Sequence, residues 1–204
     1  MTPMLTPAWL IFLLTLGVSA AGLWFAPWII ERSVFRPYWI ARRREYHTLI
    51  LSGFVHKDVG HLLLNMLTYW FFAFQLERRI GPLAFVLLYL SALVLSEIST
   101  YIKHRQDPNY GSLGASGAIA AVLFASIVYF PQQTLFIIPI PIPIPAPLFA
   151  IGYLAYSWYS ARGQRGGINH DAHLGGALVG LAFVALVEPS AYSGLMQVLG
   201  GWLR

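Results

Sequence analysis

No Asp, Glu, Lys or Arg occurs between Asp107 and Arg162, and a soluble domain could not leave so long a run without charge. A helix crosses the roughly 30 Å hydrocarbon core of a bilayer with about 20 apolar residues, so this run holds two crossings and the piece joining them. The rest of the chain reads the same way. Hydrophobic residues make up 57% of the 204 and charged residues only 10%, outside the range in which polar side chains can cover a soluble surface. The net charge of +5 lies in short basic runs between apolar segments. Membrane-flanking residues are distributed in this way, which argues against nucleic acid as a partner. The absence of cysteine excludes disulfides, thiolate metal sites and a cysteine nucleophile.

Segmentation predicts an all-α membrane protein, with six spans in one membrane-embedded domain over residues 1–204. The spans fall at about 8–30, 60–76, 82–101, 116–130, 147–161 and 172–187. The first has no Lys or Arg before it and so lacks the positive region of a cleaved signal peptide; it reads as a retained span. Residues 31–57 mix Arg32, Arg36, Arg42, Arg43, Arg44 and Lys57 with aromatics, the composition of an interfacial connection. Glu77, Arg78 and Arg79 followed by Gly81-Pro82 end the second span and begin the third. From Pro139 to Pro147 every second residue is proline, which removes backbone donors and forces extended chain between the fourth and fifth spans. A loop with Arg162, Gly163, Arg165, Gly166 and Gly167 precedes the sixth span, and Glu188 to Arg204 reads as an interfacial tail.

Spans alternate in direction, so the second, fourth and sixth all begin at one face of the membrane. Polar residues collect at those three beginnings. His61 and Asn65 open the second span one helical turn apart, Ser116 opens the fourth within Gly114-Ala115-Ser116-Gly117, and His173 opens the sixth. Ser116 and His173 provide a nucleophile and a base. His61, Asn65 and backbone N–H groups at the start of the fourth span provide donors for the charge that develops on an attacked carbonyl oxygen. Gly114, Gly117, Gly176 and Gly180 would let the fourth and sixth helices approach closely.

Each element also has a plainer reading. A lone serine in a span usually bonds the i−4 carbonyl, and Gly176-x-x-x-Gly180 is ordinary helix packing. His61 and Asn65 alone would serve as an interhelical hydrogen-bonded pair. The weight lies in the conjunction, because polar groups at one depth in a bilayer are costly unless satisfied or functional. Asp171 stands two residues from His173 and does not share its helix face, so a dyad is expected rather than a triad. Glu97 is expected to be paired or to lie near the interface, with no chemistry of its own.

Three segments carry a specific resemblance: Gly60-His61-Leu62-Leu63-Leu64-Asn65-Met66, Gly114-Ala115-Ser116-Gly117, and Asp171-Ala172-His173-Leu174-Gly175-Gly176 with Gly180. In order, spacing and span assignment the chain resembles the rhomboid family of intramembrane serine proteases. That resemblance implies a six-helix rhomboid bundle with Ser116 as nucleophile and His173 as general base and acid. It implies an oxyanion hole made by His61, Asn65 and the N–H of Ser116. It implies no metal and no cofactor, and substrates that are single-span membrane proteins cut in or near their helices within the lipid bilayer. Glu77 and Arg78 resemble an acidic-basic pair of the family. The chain departs from the family pattern at Ala120, where some members carry a tyrosine stacked on the histidine, and in the first loop, which lacks a Trp-Arg pair.

The expected home is a bacterial plasma membrane. Ten of the thirteen Lys and Arg residues fall in loops on the Ser116 side, which by the positive-inside rule would make that face cytoplasmic. The resemblance makes it extracytoplasmic, and that reading is adopted. Two rival classes stand beside the protease. His56-x-x-x-x-His61 and His170-x-x-His173 superficially resemble the histidine boxes of membrane desaturases, which are richer in histidine than the six here. A non-catalytic rhomboid-like binder of client helices is the other, against which the intact Ser116 and His173 argue.

Overall fold

Pro7, in the first position of the first helix, has no N–H to leave unpaired. The helix runs Pro7–Ala20 (α1), loosens into a wider turn at Ala21–Phe25, and stops before Pro27. A short helix Trp28–Ser33 (α2) follows, so the span predicted for residues 8–30 is broken at Ala26-Pro27. Proline both removes a donor and clashes with the preceding turn. The computed structural model describes residues 5–137, 140–163 and 168–202. Arg165, Gly166 and Gly167 of the predicted loop, and Pro139 of the Ile-Pro run, lie outside them.

The predicted interfacial connection contains two more short helices, Pro37–Arg42 (α3) and Thr48–Leu51 (α4). Its cations rest on aromatic faces, Arg42 at 3.9 Å from the Tyr38 ring centre and Arg43 at 3.7 Å from that of Trp39. The same connection pins the chain ahead of Ser116. Phe35 and Ser112 exchange two backbone hydrogen bonds of 2.9 Å, and Gly114 N–H donates to Ser52 O at 2.9 Å.

The long helices are Val59–Ile80 (α5) and a pair that follow one another, Pro82–Leu95 (α6) and Ile98–His104 (α7). Glu77, Arg78 and Arg79 do not end α5, as the sequence reading has it; the helix runs through them and stops at Gly81, whose φ of +84° favours glycine. Glu77 instead turns into the bundle, where it accepts hydrogen bonds from Ala8 N–H at 3.0 Å and Thr6 Oγ1 at 2.5 Å and so caps the first turn of α1.

Ser116–Tyr129 (α8) is the centre of the molecule, and every residue from Gly117 to Val128 is buried. Helices α5, α6 and His170–Val187 (α10) pack around it. At 14 residues it is about 21 Å long, shorter than a hydrocarbon core by about 9 Å. An antiparallel hairpin follows, Thr134–Ile137 (β1) with Ile140–Pro145 (β2). The extended chain expected there is a paired strand. Ala146 N–H donates to Gln133 O at 2.9 Å and Ile144 lies opposite Leu135, so Pro143 and Pro145 occupy the alternate positions, whose amides face away from β1. Proline sits where its missing donor leaves no ladder bond unmade.

Ala146–Gly163 (α9) leads toward α10, and an amphipathic helix Tyr192–Trp202 (α11) closes the described chain. Among the described residues, four helical stretches are long and apolar enough to cross a membrane: Pro7–Phe25, Val59–Ile80, Pro82–His104 and His170–Val187. Leu63, Leu64, Phe71, Leu83 and Leu87 are exposed on the outside of this bundle, the arrangement of a protein solvated by lipid. The architecture is an all-α membrane bundle with one small hairpin.

Candidate active site

Three helices start close together, and two of them are capped by a side chain just ahead of a histidine. Asp58 Oδ1 accepts the His61 N–H at 2.7 Å at the start of α5, and Asn169 Oδ1 accepts the Ala172 N–H at 3.0 Å at the start of α10. No side chain caps α8. Its ladder begins with Ile119 N–H to Ala115 O at 2.9 Å, so the N–H of Ser116 lies ahead of the ladder and is aimed out of the helix end.

Close backbone approach brings these ends together. A Cβ at Gly176 would fall on the carbonyl oxygen of Gly117, and one at Gly180 on that of Ala121, so α8 and α10 touch main chain to main chain. Gly114 has φ +118°, and a Cβ there would lie 2.5 Å from His61 Cε1 and 2.8 Å from Nε2. Only glycine lets the loop before Ser116 pass this close to the imidazole.

Ser116, His173, His61 and Asn65 line one cavity of about 880 Å³. Ile119, Ala120, Leu123 and Phe149 supply apolar lining and Lys57, Asp58 and Lys103 polar lining. Asn65, nearly buried at 7% exposure, donates one N–H to His61 O at 3.0 Å and keeps the other for the cavity. No side-chain hydrogen bond joins Ser116 to His173; those around the site hold the helix starts, Asn65 and Asp171. Without a bound substrate, such contacts are commonly long.

Asp171 is taken up elsewhere, by Lys103 at 2.9 Å, and Lys103 also donates to Ala161 O at 2.5 Å, joining the end of α9 to the start of α10. Glu97 Oε2 accepts from Asn169 Nδ2 at 3.2 Å, and Thr100 Oγ1 donates to Asn169 Oδ1 at 3.1 Å. The expected pairing of Glu97 therefore holds the cap of the helix that carries His173. That helix begins at His170 rather than at about Ala172; Asn169 is an N-cap residue type and was the available signal. Among the described residues no three metal-ligating side chains converge.

Tyr153 of α9 was not among the candidates. Its ring lies over His173, centres 6.1 Å apart and planes 22° from parallel. Ala120, 2% exposed, offers no ring of its own to the imidazole, and the ring comes from another helix. With His173 as a catalytic base, Tyr153→Ala is expected to lower turnover about tenfold by loosening the imidazole, whereas Tyr153→Phe keeps the ring and stays within about threefold of wild type. Equal losses in the two variants would assign the effect to the hydroxyl instead.

Next to His61 is His56, fully buried. Burial first, and then the charge of His61, hold its imidazole down to about 3, against the opposing pull of Asp58. An unfolded chain protonates His56 below about 6.5, so in the window from about 6.5 down to 3 the unfolded state binds a proton that the folded state refuses. Stability is expected to fall with pH across that window, by on the order of 2 kcal/mol at pH 4.5. His56→Gln should lose less on acidification when thermal unfolding in detergent is compared at pH 7 and pH 4.5. An unchanged acid sensitivity would refute this assignment.

The rhomboid domain family matches residues 43–190, a stretch that contains all three helix starts. The chain belongs to the rhomboid family. Over 153 residues it is 33% identical to RHOMBOID-like protein 12, mitochondrial, of Arabidopsis thaliana, covering 65% of this chain and 44% of that protein. It is 36% identical over 144 residues to the human Presenilin-associated rhomboid-like protein, mitochondrial, with 67% and 36% covered. Against Rhomboid protein 1, mitochondrial, of Saccharomyces cerevisiae the identity is 30% over 183 residues, with 84% and 51% covered. The chain thus spans about half or less of the length of these relatives. All three carry mitochondrial names, which overturns the expectation of a bacterial plasma membrane and, with it, the extracytoplasmic placement of the Ser116 face. Composition and charge cannot separate one lipid bilayer from another, and the extracytoplasmic placement rested on the resemblance alone, against the distribution of basic residues.

Proposed function

We propose that this rhomboid is an intramembrane serine endopeptidase that hydrolyses peptide bonds in or near the transmembrane helices of other membrane proteins, single-span proteins above all. The observation that carries the reading is the convergence of Ser116, His173, His61 and Asn65 on one cavity. In the proposed reaction Ser116 Oγ attacks the scissile carbonyl carbon while His173 takes the hydroxyl proton. Negative charge then develops on the carbonyl oxygen, where the Ser116 N–H, His61 and Asn65 donate to it. Collapse expels the amine, which receives the proton from His173, and leaves an acyl-serine. A water, deprotonated by the same histidine, releases the acid and restores the serine. Chain 1–204 acts as one membrane-embedded unit. The names of its relatives support a mitochondrial membrane as its location.

The test is labelling of the detergent-solubilised protein with a serine-reactive fluorophosphonate. Wild type is expected to label, and Ser116→Ala and His173→Ala are not. Absence of label in folded wild type, with a membrane-helix substrate left intact, would instead support a non-catalytic binder of client helices.

A further inference from the structure

Two buried ring nitrogens face a problem that the protein alone does not solve. His56 and His61 are neighbours, ring centres 4.9 Å apart and planes at 71°. His56 Nε2 and His61 Nδ1 are both buried, and neither has a hydrogen-bond partner among the described residues. A buried polar atom of this kind is costly unless something satisfies it.

The tautomer of His56 follows from Ser19. The Ser19 hydroxyl lies 3.0 Å from Phe54 O and 2.9 Å from His56 Nδ1. A carbonyl oxygen only accepts, so the single hydroxyl proton goes to Phe54 and His56 Nδ1 must be the donor to Ser19 Oγ. In a neutral imidazole the other nitrogen is then a bare acceptor, and His56 Nε2 needs a donor. His61 faces a choice. If Nδ1 carries its proton, Nε2 is bare on the side of Gly114 and the cavity; if Nδ1 is bare, Nε2–H is available there.

We infer that His56 and His61 form a binding site for one internal water, which donates one O–H to His56 Nε2 and the other to His61 Nδ1. A single water with both protons so used satisfies both orphans, and internal waters occupy polar sites of this kind. A water could equally accept from His61 Nδ1–H; donation to Nδ1 is the arrangement that leaves the Nε2–H turned to Gly114 and the cavity, where the proposed oxyanion needs a donor. His56 is therefore a positioning residue acting through His61, and Ser19 sets the polarity of the relay. The His61 tautomer and its catalytic consequence rest on the protease reading; the water site and the tautomer of His56 do not.

The test uses the whole protein, with ¹⁵N-labelled histidine, in detergent micelles at pH 7. Wild type is expected to show His56 protonated at Nδ1 and His61 at Nε2, and His56→Ala to convert His61 to a mixture of tautomers. Cleavage is expected to lose about tenfold in kcat with KM within twofold in His56→Ala, and to lose nothing further when His56→Ala is added to His61→Ala. His56→Gln, which can still accept a hydrogen bond from the water, should recover most of the loss. Finding His61 protonated at Nδ1 in wild type would overturn the inference without any kinetic measurement. So would an equal loss from His56→Ala in both backgrounds, the mark of a purely structural role. The expected tautomers in a protein whose His61→Ala variant cleaves at full rate would uphold the water site and overturn the catalytic reading of His61.

Discussion

Ser116→Ala is expected to lower cleavage of a membrane-helix substrate by about 10⁴-fold or more, while leaving the fold intact. In the proposed reaction the substitution removes the atom that forms the acyl bond, and the donors that remain cannot replace a nucleophile. The helix should not notice the change, because alanine has the highest helix propensity and no helix cap depends on Ser116 Oγ. His173→Ala should be as severe, and the double variant no worse than either alone, because the members of the proposed dyad would act as a unit. Cleavage of a reporter helix in proteoliposomes, with thermal unfolding of each variant as the control for folding, checks all three. A Ser116→Ala protein retaining a tenth of the wild-type rate would end the serine mechanism, and additive losses would end the dyad.

Gly176→Leu is expected to be the most damaging single change to the bundle, destabilising it by about 3 kcal/mol or more. The Cβ alone would meet the Gly117 carbonyl and stand 3.2 Å from Ala120 Cβ, and main-chain atoms cannot move aside as a side chain can. The helices would have to separate along the seam that carries both Ser116 and His173. Gly152→Leu in α9 is the matching control, because nothing lies within 4 Å of a Cβ at that position. It should change stability by no more than about 0.5 kcal/mol. Unfolding in mixed micelles reads both, and a Gly176→Leu protein as stable as the control would show that α8 and α10 do not need their backbone contact.

The catalytic candidates were legible because each is a polar residue at the start of an apolar span: His61 and Asn65 one turn apart, Ser116 between Gly114 and Gly117, and His173 three residues ahead of the Gly176 to Gly180 packing seam. All of these act within about four residues of chain, through hydrogen bonds and torsions that a sequence states directly. The same locality explains the errors. Glu77, Arg78 and Arg79 read as a helix end, yet a carboxylate that caps a distant helix lets α5 continue to Ile80.

By itself, then, the sequence determined the membrane as solvent, the order of the helices and the common face on which Ser116, His61, Asn65 and His173 begin them. Tertiary structure alone decided which ring rests on His173, where Glu97 finds its partner, and that Ser19 orients His56 beside His61. In water an amphipathic stripe would have announced the inward face of each helix. In lipid the outward face is as apolar as the inward one, so α8 and α9 carry no periodic mark of their rotation. Tyr153 reads as one more aromatic in an uncharged span until α9 is set against α10.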